Sequence, residues 1–398
     1  MVRKACFAVL LISLVQAICA AQEQPAIDDV FRWFPKGTYK TLAFADLGRL
    51  STSDSYHHYS SMYSDTGKYL TSSWNPLPDE AKQQLTRIAF GHLVNYRDKL
   101  TPVDKLDENA QLTLLGEKDE QLTVDGSGRL AVRDSVDAGA TLWVLGFDDT
   151  VAIVRQGLKA GWLIRPGLRM IRRPVFKLSA AQDDQNRCFY AYATTTNELL
   201  IANELLTLMR MIKVGHGADL GILDSPDYAL LLPVIGELGQ SWSIAPKTLH
   251  DRAMQEQLTK SGSSEEGIKE REARIESGPI FEITSNAFAE NSITETTIRI
   301  YGSDESAKAD AFEIKAELEK ERWDFLGELD KMKALSGSEK SEQHRKLINR
   351  VADRLSGVTE SMKTTVEGNV VRTIITIGKR ELGALRYLTD TMLGRIRK

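Results

Sequence analysis

The stretch that most constrains the fold runs from Cys188 to Lys213, where two short apolar segments directly precede an amphipathic one. Aromatic residues over 189–192 favour a half-buried strand, and Leu199–Ile201 favour a second strand. The polar residues 194–197 between them indicate a turn. Apolar residues recur at a spacing of three to four over 205–212, which predicts a helix with one apolar face. The unit is therefore a hairpin followed by a helix.

Side-chain roles within this unit follow from the same pattern. Leu200 in the second strand and Leu208 on the apolar helix face are expected in the core. Asn203 is expected to cap the helix, because Asn accepts a hydrogen bond from a first-turn amide. Glu198 and Thr195 are expected to be solvated.

The order of strand, short polar cap and helix recurs along the chain. It is found near Leu142, Leu199, Ile298 and Ile374, without sequence identity between the copies. Adjacent hairpins favour antiparallel pairing. The predicted fold is α+β, with two lobes of mostly antiparallel sheet and helices packed on one face.

Composition divides the chain into lobes. Residues 27–245 form the first predicted α+β lobe, and residues 246–278 a linker that contains the Ser-, Gly- and Glu-rich run 260–267. Residues 279–398 form the second lobe. Its main feature is a long helical hairpin whose first helix is capped by Ser303 or Asp304.

A helix is also predicted after Pro78. Proline is favoured in the first turn of a helix. Leu85, Ile88, Ala89 and His92 would then lie on or near one face.

Residues 1–21 predict a secretory signal peptide. Arg3 and Lys4 form a basic start, residues 5–15 an apolar run, and small residues follow up to Ala21. Cleavage is expected after Ala20 or Ala21. The mature chain is therefore expected to be exported, periplasmic or extracellular, and no later stretch predicts a membrane span.

Charge and cysteine content argue against a nucleic-acid-binding protein and against a disulfide-rich protein. The chain has 51 Lys and Arg against 55 Asp and Glu, and loss of Arg3 and Lys4 with the signal would take the net charge from −4 to −6. A mildly acidic protein does not favour nucleic acid as a partner. Cys188 is the one cysteine clearly beyond the signal, so a disulfide framework is not expected.

The order of elements resembles a class of bacterial exported proteins of unknown function. The segments that carry the resemblance are ATLWVLGFDDTVAIVRQGL, NELLIANELLTLMRMI with DSPDYALLLPVI, and TTIRIYGSDESAKADAFEIKAEL with VEGNVVRTIITI. The resemblance implies export and an α+β fold. It implies no active site.

Marked catalytic and nucleotide motifs are missing from the sequence. It contains no HExxH, GxSxG, GxxxxGK[ST] or CxxC, and no cofactor is predicted. The glycine-rich run 214–221 follows a helix, whereas a phosphate loop follows a strand. Gly215 is instead expected to end that helix in a left-handed conformation.

The histidine-rich segment 51–66 holds the best candidate for a metal site. His57 and His58 are adjacent, with Asp54 and Asp65 nearby. Imidazole and carboxylate groups suit zinc, but adjacent side chains diverge on a strand or a helix and rarely bind one ion. No metal is therefore predicted, and the two histidines are kept as possible contacts to a ligand or partner.

A basic cluster supplies the second candidate contact surface. It consists of Arg165, Arg169, Arg172 and Arg173. Such a cluster suits an anionic ligand or the acidic face of a partner, although a solvated edge would look the same.

Two functional hypotheses follow. The first is a non-enzymatic exported protein that binds or scaffolds an unknown protein or small ligand of the cell envelope. The second is an extracytoplasmic hydrolase, with or without assistance from a metal, whose catalytic residues meet only in space.

Overall fold

The strands and helices come from a computed structural model that describes residues 31–57, 76–102, 122–124, 130–137, 139–167, 169–170, 173–182, 188–261, 269, 272, 275–336 and 342–384. The strands are β1 (Tyr39–Asp46), β2 (Leu85–Leu93), β3 (Tyr96–Pro102), β4 (Leu122–Val124), β5 (Leu130–Asp137), β6 (Ala140–Phe147), β7 (Leu163–Ile164), β8 (Arg169–Met170), β9 (Arg173–Gln182), β10 (Cys188–Ala193), β11 (Glu198–Ala202), β12 (Ser241–Ala245), β13 (Phe281–Phe288), β14 (Ser292–Ile300), β15 (Lys363–Glu367) and β16 (Val370–Gly378). The helices are α1 (Leu47–Ser51), α2 (Asp79–Lys82), α3 (Thr150–Ala160), α4 (Leu205–Gly215), α5 (Pro226–Ala229), α6 (Leu232–Ile235), α7 (Lys247–Ser261), α8 (Asp304–Ser336) and α9 (Glu342–Ser361). A further helical segment covers 379–384.

One large sheet organises the described residues. Its strands lie in the order β15-β16-β14-β13-β12-β1-β2-β6-β11-β10-β9-β7, with β8 beside β9. Neighbouring strands are antiparallel, as in the pairing of β2 with β6 and of β6 with β11. The sheet is not closed, and β3, β5 and β4 form a separate small sheet. The predicted α+β class with mostly antiparallel pairing is confirmed.

The middle of the large sheet is buried on both faces. In β11, Leu200 and Ala202 belong to the core cluster that contains Leu208 of α4. Leu199 and Ile201 point to the opposite face and pack in the cluster that contains Ile153 of α3. Helices therefore cover both faces here, whereas the sequence predicted one covered face. Consecutive apolar residues in β11 explain the difference, because neighbours in a strand point to opposite sides.

The unit from Cys188 to Lys213 forms as predicted, with one change at its cap. β10 and β11 pair as a hairpin, α4 follows, and Leu200 and Leu208 are fully buried. The expected cap by Asn203 is wrong. Glu204 occupies the N-cap position, where its side chain makes no capping hydrogen bond. Asn203 Oδ1 accepts a 3.0 Å hydrogen bond from Thr141 N in β6.

The helix predicted after Pro78 is much shorter than expected. It ends at Lys82, and Leu85–Leu93 form strand β2. Ile88 and Ala89 are both buried because they face the two opposite core layers. Burial of neighbouring residues on both sides of a strand produced an apolar spacing that resembles one face of a helix.

Other predicted strand-to-helix transitions are present. Asp149 caps α3 by accepting from Ala152 N at 3.0 Å. Ser303 caps α8 by accepting from Ser306 N at 3.1 Å. β16 leads into the helical segment 379–384, and α8 and α9 form the long helical pair expected in the second lobe.

The boundary predicted at residues 246–278 follows a strand in the middle of the sheet. β12 ends at Ala245 and pairs with β1 on one side and β13 on the other. Residues 247–261 form helix α7. The large sheet is thus continuous across the two predicted lobes, and the lobe boundaries themselves stay a prediction.

Helix α8 is held against the sheet by a charged network. Arg299 in β14 pairs with Asp310 of α8 at 3.2 Å and with Glu282 of β13 at 3.2 Å. Tyr301 donates a hydrogen bond to the same Asp310 carboxylate. Burial, together with the hydrogen bond and charge of Asp310, raises the pKa of Tyr301. The first turns of α8 are therefore fixed in position and in rotation about the helix axis.

Candidate functional site

A buried carboxylate is the most unusual polar group in the centre of the sheet. Glu198 opens β11, and only 2% of the residue is exposed. Its backbone N–H donates to Thr194 Oγ1 at 3.2 Å, and its carbonyl accepts from Thr194 N at 2.9 Å. These bonds close the turn between β10 and β11. The carboxylate thus projects from a rigid strand end, inside the protein.

Three donors surround this carboxylate. Arg87 of β2 forms an ion pair with Oε1. Trp33 Nε1 and Thr196 Oγ1 each donate to Oε2 at 2.7 Å. We call Trp33, Arg87, Thr194, Thr196 and Glu198 the Glu198 cluster. Burial of a charge is costly unless it is paired and hydrogen-bonded, and here both requirements are met.

Gly146 allows the ion pair to form across an intervening strand. In the register of β2, β6 and β11, both Arg87 and Glu198 lie opposite Gly146. Directly opposed residues point to the same face of a sheet. A Cβ atom at Gly146 would overlap Cγ of Arg87 and lie 2.9 Å from its Nε. The arginine side chain therefore crosses β6 through the space that the glycine leaves.

Trp33 connects the cluster to helix α4. Its ring is buried and makes an edge contact with His216, with 6.0 Å between ring centroids. A Cβ atom at Gly215 would overlap this ring. The expectation of a left-handed Gly215 is wrong, because the positive φ of 70° lies at Gly217. Gly215 makes room for tryptophan.

The expectation that Glu198 is solvated is also wrong. Strand alternation could have corrected it, since Leu200 was assigned to the core and residue 198 shares its face. The partners could not have been found, because Trp33 and Arg87 lie 165 and 111 residues away. The side chain of Glu198 is 3% exposed and that of Arg87 is 31% exposed. The cluster therefore ties together β2, β11 and residue 33, and its carboxylate is closed to a substrate.

Three of the four arginines predicted to form a basic cluster lie in or next to the strands β7, β8 and β9. Arg165 is exposed just after β7. Arg169 lies in β8, and Arg172 lies outside the described residues. Arg173 opens β9 and donates from Nη1 to the carbonyls of Ala193 and Thr194, at 3.1 and 2.9 Å. This arginine supports the turn that precedes Glu198.

Of the two histidine candidates, His57 lies in the described residues and is close in sequence to a segment that lines an open cleft. His57 is exposed, and its Nε2 is 2.7 Å from the carbonyl oxygen of Ser51; His58 lies outside the described residues. The cleft has a volume of about 580 Å³ and separates the segment after α1 from the turn between β13 and β14. It is lined by Arg49, Thr52, Ser53, Asp54, Gln240, Phe288, Ala289 and Glu290. Among the described residues, no group of three or more His, Cys, Asp or Glu is placed to hold a metal ion.

Comparison with known proteins finds no match in sequence and a low structural similarity to solved structures. No family model matches the chain, and no curated protein matches it. Two crystal forms of the protein TP0453 align with it at 6% sequence identity. The alignment with crystal form I covers 93% of this chain and 99% of the TP0453 chain, with a TM-score of 0.36. Form III covers 90% and 98%, with a TM-score of 0.37.

Among the residues that the structure describes, no helix combines the length and the hydropathy that crossing a bilayer requires.

Proposed function

We propose that this chain is an exported binding or scaffolding protein that contacts a protein partner through the helical layer over one face of its sheet. Export is supported by the sequence of residues 1–21. Contact through the helices is supported by the apolar side chains that this layer exposes. The Glu198 cluster supports the same choice over a hydrolase, because its one deeply buried carboxylate is fully engaged by Arg87, Trp33 and Thr196.

The observation that carries the proposal is a set of exposed leucines. α4 buries Leu208 against the sheet, and residues 222–235 continue the same layer. Four leucines of this layer point outward, with Leu206 73% exposed, and we call them the leucine layer. Its members are Leu206, Leu220, Leu230 and Leu232. Large apolar side chains gathered on one exposed layer are typical of surfaces that bind other proteins.

Photo-crosslinking in the exporting cell tests this assignment. A photoreactive amino acid at Leu206 or Leu232 is expected to give an adduct with an envelope protein, identified by mass spectrometry. The same amino acid at the exposed Asp148, which lies outside the leucine layer, serves as the matched control. Equal labelling from Asp148, or no adduct from either leucine position, would contradict the proposal.

Export has a separate test. N-terminal sequencing of the protein recovered from the cell envelope is expected to begin at Ala21 or Gln22. A mature chain that retains Arg3 and Lys4 would show that the segment is not removed.

A further inference from the structure

Among the described strands, β15 pairs with β16 and ends the large sheet. A turn of two residues joins the two strands, and Glu367 lies opposite Val370. The pair that closes a two-residue turn is a hydrogen-bonded pair, and such pairs alternate with non-hydrogen-bonded ones along an antiparallel ladder. The backbone N–H and C=O groups of Glu367, Thr365 and Lys363 therefore point toward β16.

A side-chain hydrogen bond supports this alternation. The register of the two strands places Thr376 of β16 opposite Ser361, just ahead of β15. Thr376 N donates to Ser361 Oγ at 3.1 Å and thus points toward the line of β15. The backbone groups of Thr364 and Val366 then point the other way, out from the sheet. The described residues place no strand on that side.

Helix α8 is anchored on the strands inward from this edge. Ala307 and Ala311 pack with Val371 of β16 and with Tyr301, which directly follows β14. Val366 of β15 is partly buried against the same group. Within the part of the chain that the structure describes, α8 thus covers one face of the sheet here and leaves its last edge without a paired strand.

The side chains of β15 alternate between the two faces of the sheet. Thr364 and Val366 are half-buried on the α8 side, whereas Lys363, Thr365 and Glu367 are exposed on the other side. The order Lys-Thr-Thr-Val-Glu is complementary to itself in reverse. In an antiparallel second copy centred on Thr365, Lys363 lies opposite Glu367. Directly opposed residues share a face, so both Lys–Glu pairs form on the exposed side.

The direction of the backbone groups permits this register. An antiparallel strand can bond to β15 when its own outward-pointing residues lie opposite Thr364 and Val366. Centres at Thr364, Thr365 or Val366 each satisfy this condition. Of these, the centre at Thr365 pairs the whole strand and sets lysine against glutamate. Thr364 then exchanges both backbone hydrogen bonds with Val366 of the second copy, and Val366 does so with Thr364.

We propose that β15 is a self-association edge, on which β15 of a second copy of this chain pairs antiparallel about a two-fold axis at Thr365. The occupant is a second copy because the charge pattern and the direction of the backbone groups agree in one register. Lysine at a sheet edge disfavours pairing with other strands, and the opposed Glu367 removes that obstacle for a strand of identical sequence. A contact of five residues from each copy is small, so the dimer is expected to dissociate on dilution. The edge shares no residue with the leucine layer, so either proposal can fail alone.

Disulfide trapping of the mature full-length chain tests the register, in a Cys188→Ala background. Thr365→Cys is expected to give a disulfide-linked dimer on mild oxidation, because a non-hydrogen-bonded pair places the two Cα atoms about 4.5 Å apart, within the range of a disulfide. Thr364→Cys is the matched control. Its two copies are offset along the strands, with Cα atoms about 8 Å apart, and are expected to stay unlinked. Equal linkage from both positions would contradict the register.

Exchange of charges tests the recognition of a second copy by sedimentation equilibrium. The wild-type protein is expected to shift from monomer to dimer as its concentration rises through the micromolar range. Lys363→Glu and Glu367→Lys each set like charges against one another and are expected to weaken dimerisation roughly tenfold or more. An equimolar mixture of these two variants sets opposite charges against one another and is expected to associate like the wild type. Lys159→Glu on α3 makes the same charge change away from the edge and is expected to leave dimerisation unchanged.

Proline separates backbone pairing from side-chain contact. Thr364→Pro removes an outward N–H of β15 without removing a bond to β16, and is expected to abolish dimerisation with the circular dichroism spectrum intact. Thr364→Val removes the same hydroxyl but keeps the N–H, and is expected to dimerise. A wild-type chain that stays monomeric, a mixture of charge variants that does not associate, or equal loss in both Thr364 variants overturns the proposal. A photo-crosslink from Thr365 to another envelope protein, in a chain that stays monomeric, would assign the edge to a foreign strand instead.

Discussion

The centre of the sheet and the α8–α9 hairpin use the same residue types in different ways. Around β6 and β11, apolar residues are buried on both faces, and even a carboxylate is enclosed and paired. In the hairpin the buried side chains form small groups such as Leu329, Val351 and Leu355, whereas Phe312 and Trp323 are exposed. The comparison shows that aromatic content does not locate the core. What locates it is whether a second layer covers the element.

Truncation of a central leucine should show the largest difference between the two regions. Leu208→Ala is expected to lower the free energy of unfolding by about 2–5 kcal/mol, because the site is enclosed on all sides and the cavity cannot collapse. Leu329→Ala in α8 is expected to lower the free energy of unfolding by only about 2 kcal/mol, because the small cluster around it can relax toward solvent. Urea denaturation of the full chain measures both. Equal losses would remove the distinction between the regions.

Breaking the buried ion pair should rank next. Glu198→Gln keeps the shape of the side chain, but it replaces one carboxylate oxygen with an amide nitrogen and removes the charge that faces Arg87. We expect the free energy of unfolding to fall by about 3 kcal/mol. The matched control is Glu367→Gln in the edge strand β15, where the pair with Arg372 is 3.4 Å long and Glu367 is exposed. That change is expected to cost less than about 0.5 kcal/mol.

The role of Gly146 can be tested with the same pair. Gly146→Ala is expected to destabilise because a Cβ atom there displaces Arg87 from Glu198. The double variant G146A/E198Q should lose less stability than the sum of the two single variants, because both substitutions disrupt the same Arg87–Glu198 ion pair. Strict additivity would mean that the glycine serves another purpose.

Asn203 distinguishes a tertiary hydrogen bond from a helix cap. Asn203→Ala is expected to cost about 1–2 kcal/mol, because Thr141 N in β6 loses its acceptor. Asn203→Ser should not recover this loss, because its shorter side chain does not reach β6. A serine that restores stability would favour the capping role, since serine is an effective N-cap residue.

Alkaline pH should affect the attachment of the hairpin through Tyr301. Burial raises its pKa above the usual value of about 10, so the folded state keeps the phenol protonated. Its stabilising contribution is therefore complete below pH 10 and is lost as the pH rises further through the folded pKa. Tyr301→Phe is expected to cost about 1 kcal/mol at neutral pH and to reduce the decline in stability above about pH 10. If the stability of the Tyr301→Phe variant still declines as steeply at alkaline pH, the decline is due to other buried tyrosines, such as Tyr39.

The smallest effects are expected at exposed positions in both regions. Thr195→Ala in the central turn and Phe312→Ala on the exposed side of α8 should each change the free energy of unfolding by less than about 0.5 kcal/mol. Both residues are exposed. A large loss at Phe312 in dilute monomeric protein would show that this ring packs within its own chain.

Local patterns were sufficient for most elements of the fold. Period-two and period-3.6 spacing correctly predicted the hairpin of β10 and β11 and helix α4. Ser303 was one of the two residues expected to cap α8. These features depend on neighbours within a few residues, and the sequence contains that information directly. The class of the fold followed from the order of the elements.

Features that depend on both faces of the sheet were decided only by the tertiary structure. β2 resembled a helix because Ile88 and Ala89 are buried in opposite layers, and Glu198 resembled a surface residue because its partners are distant in sequence. Gly215 resembled a cap residue, but Gly215 and Gly146 each leave space for a large side chain from elsewhere. Such roles are set by which strands become neighbours. The sequence pattern does not predict which distant residues come into contact, because these contacts form only when the strands and helices pack together.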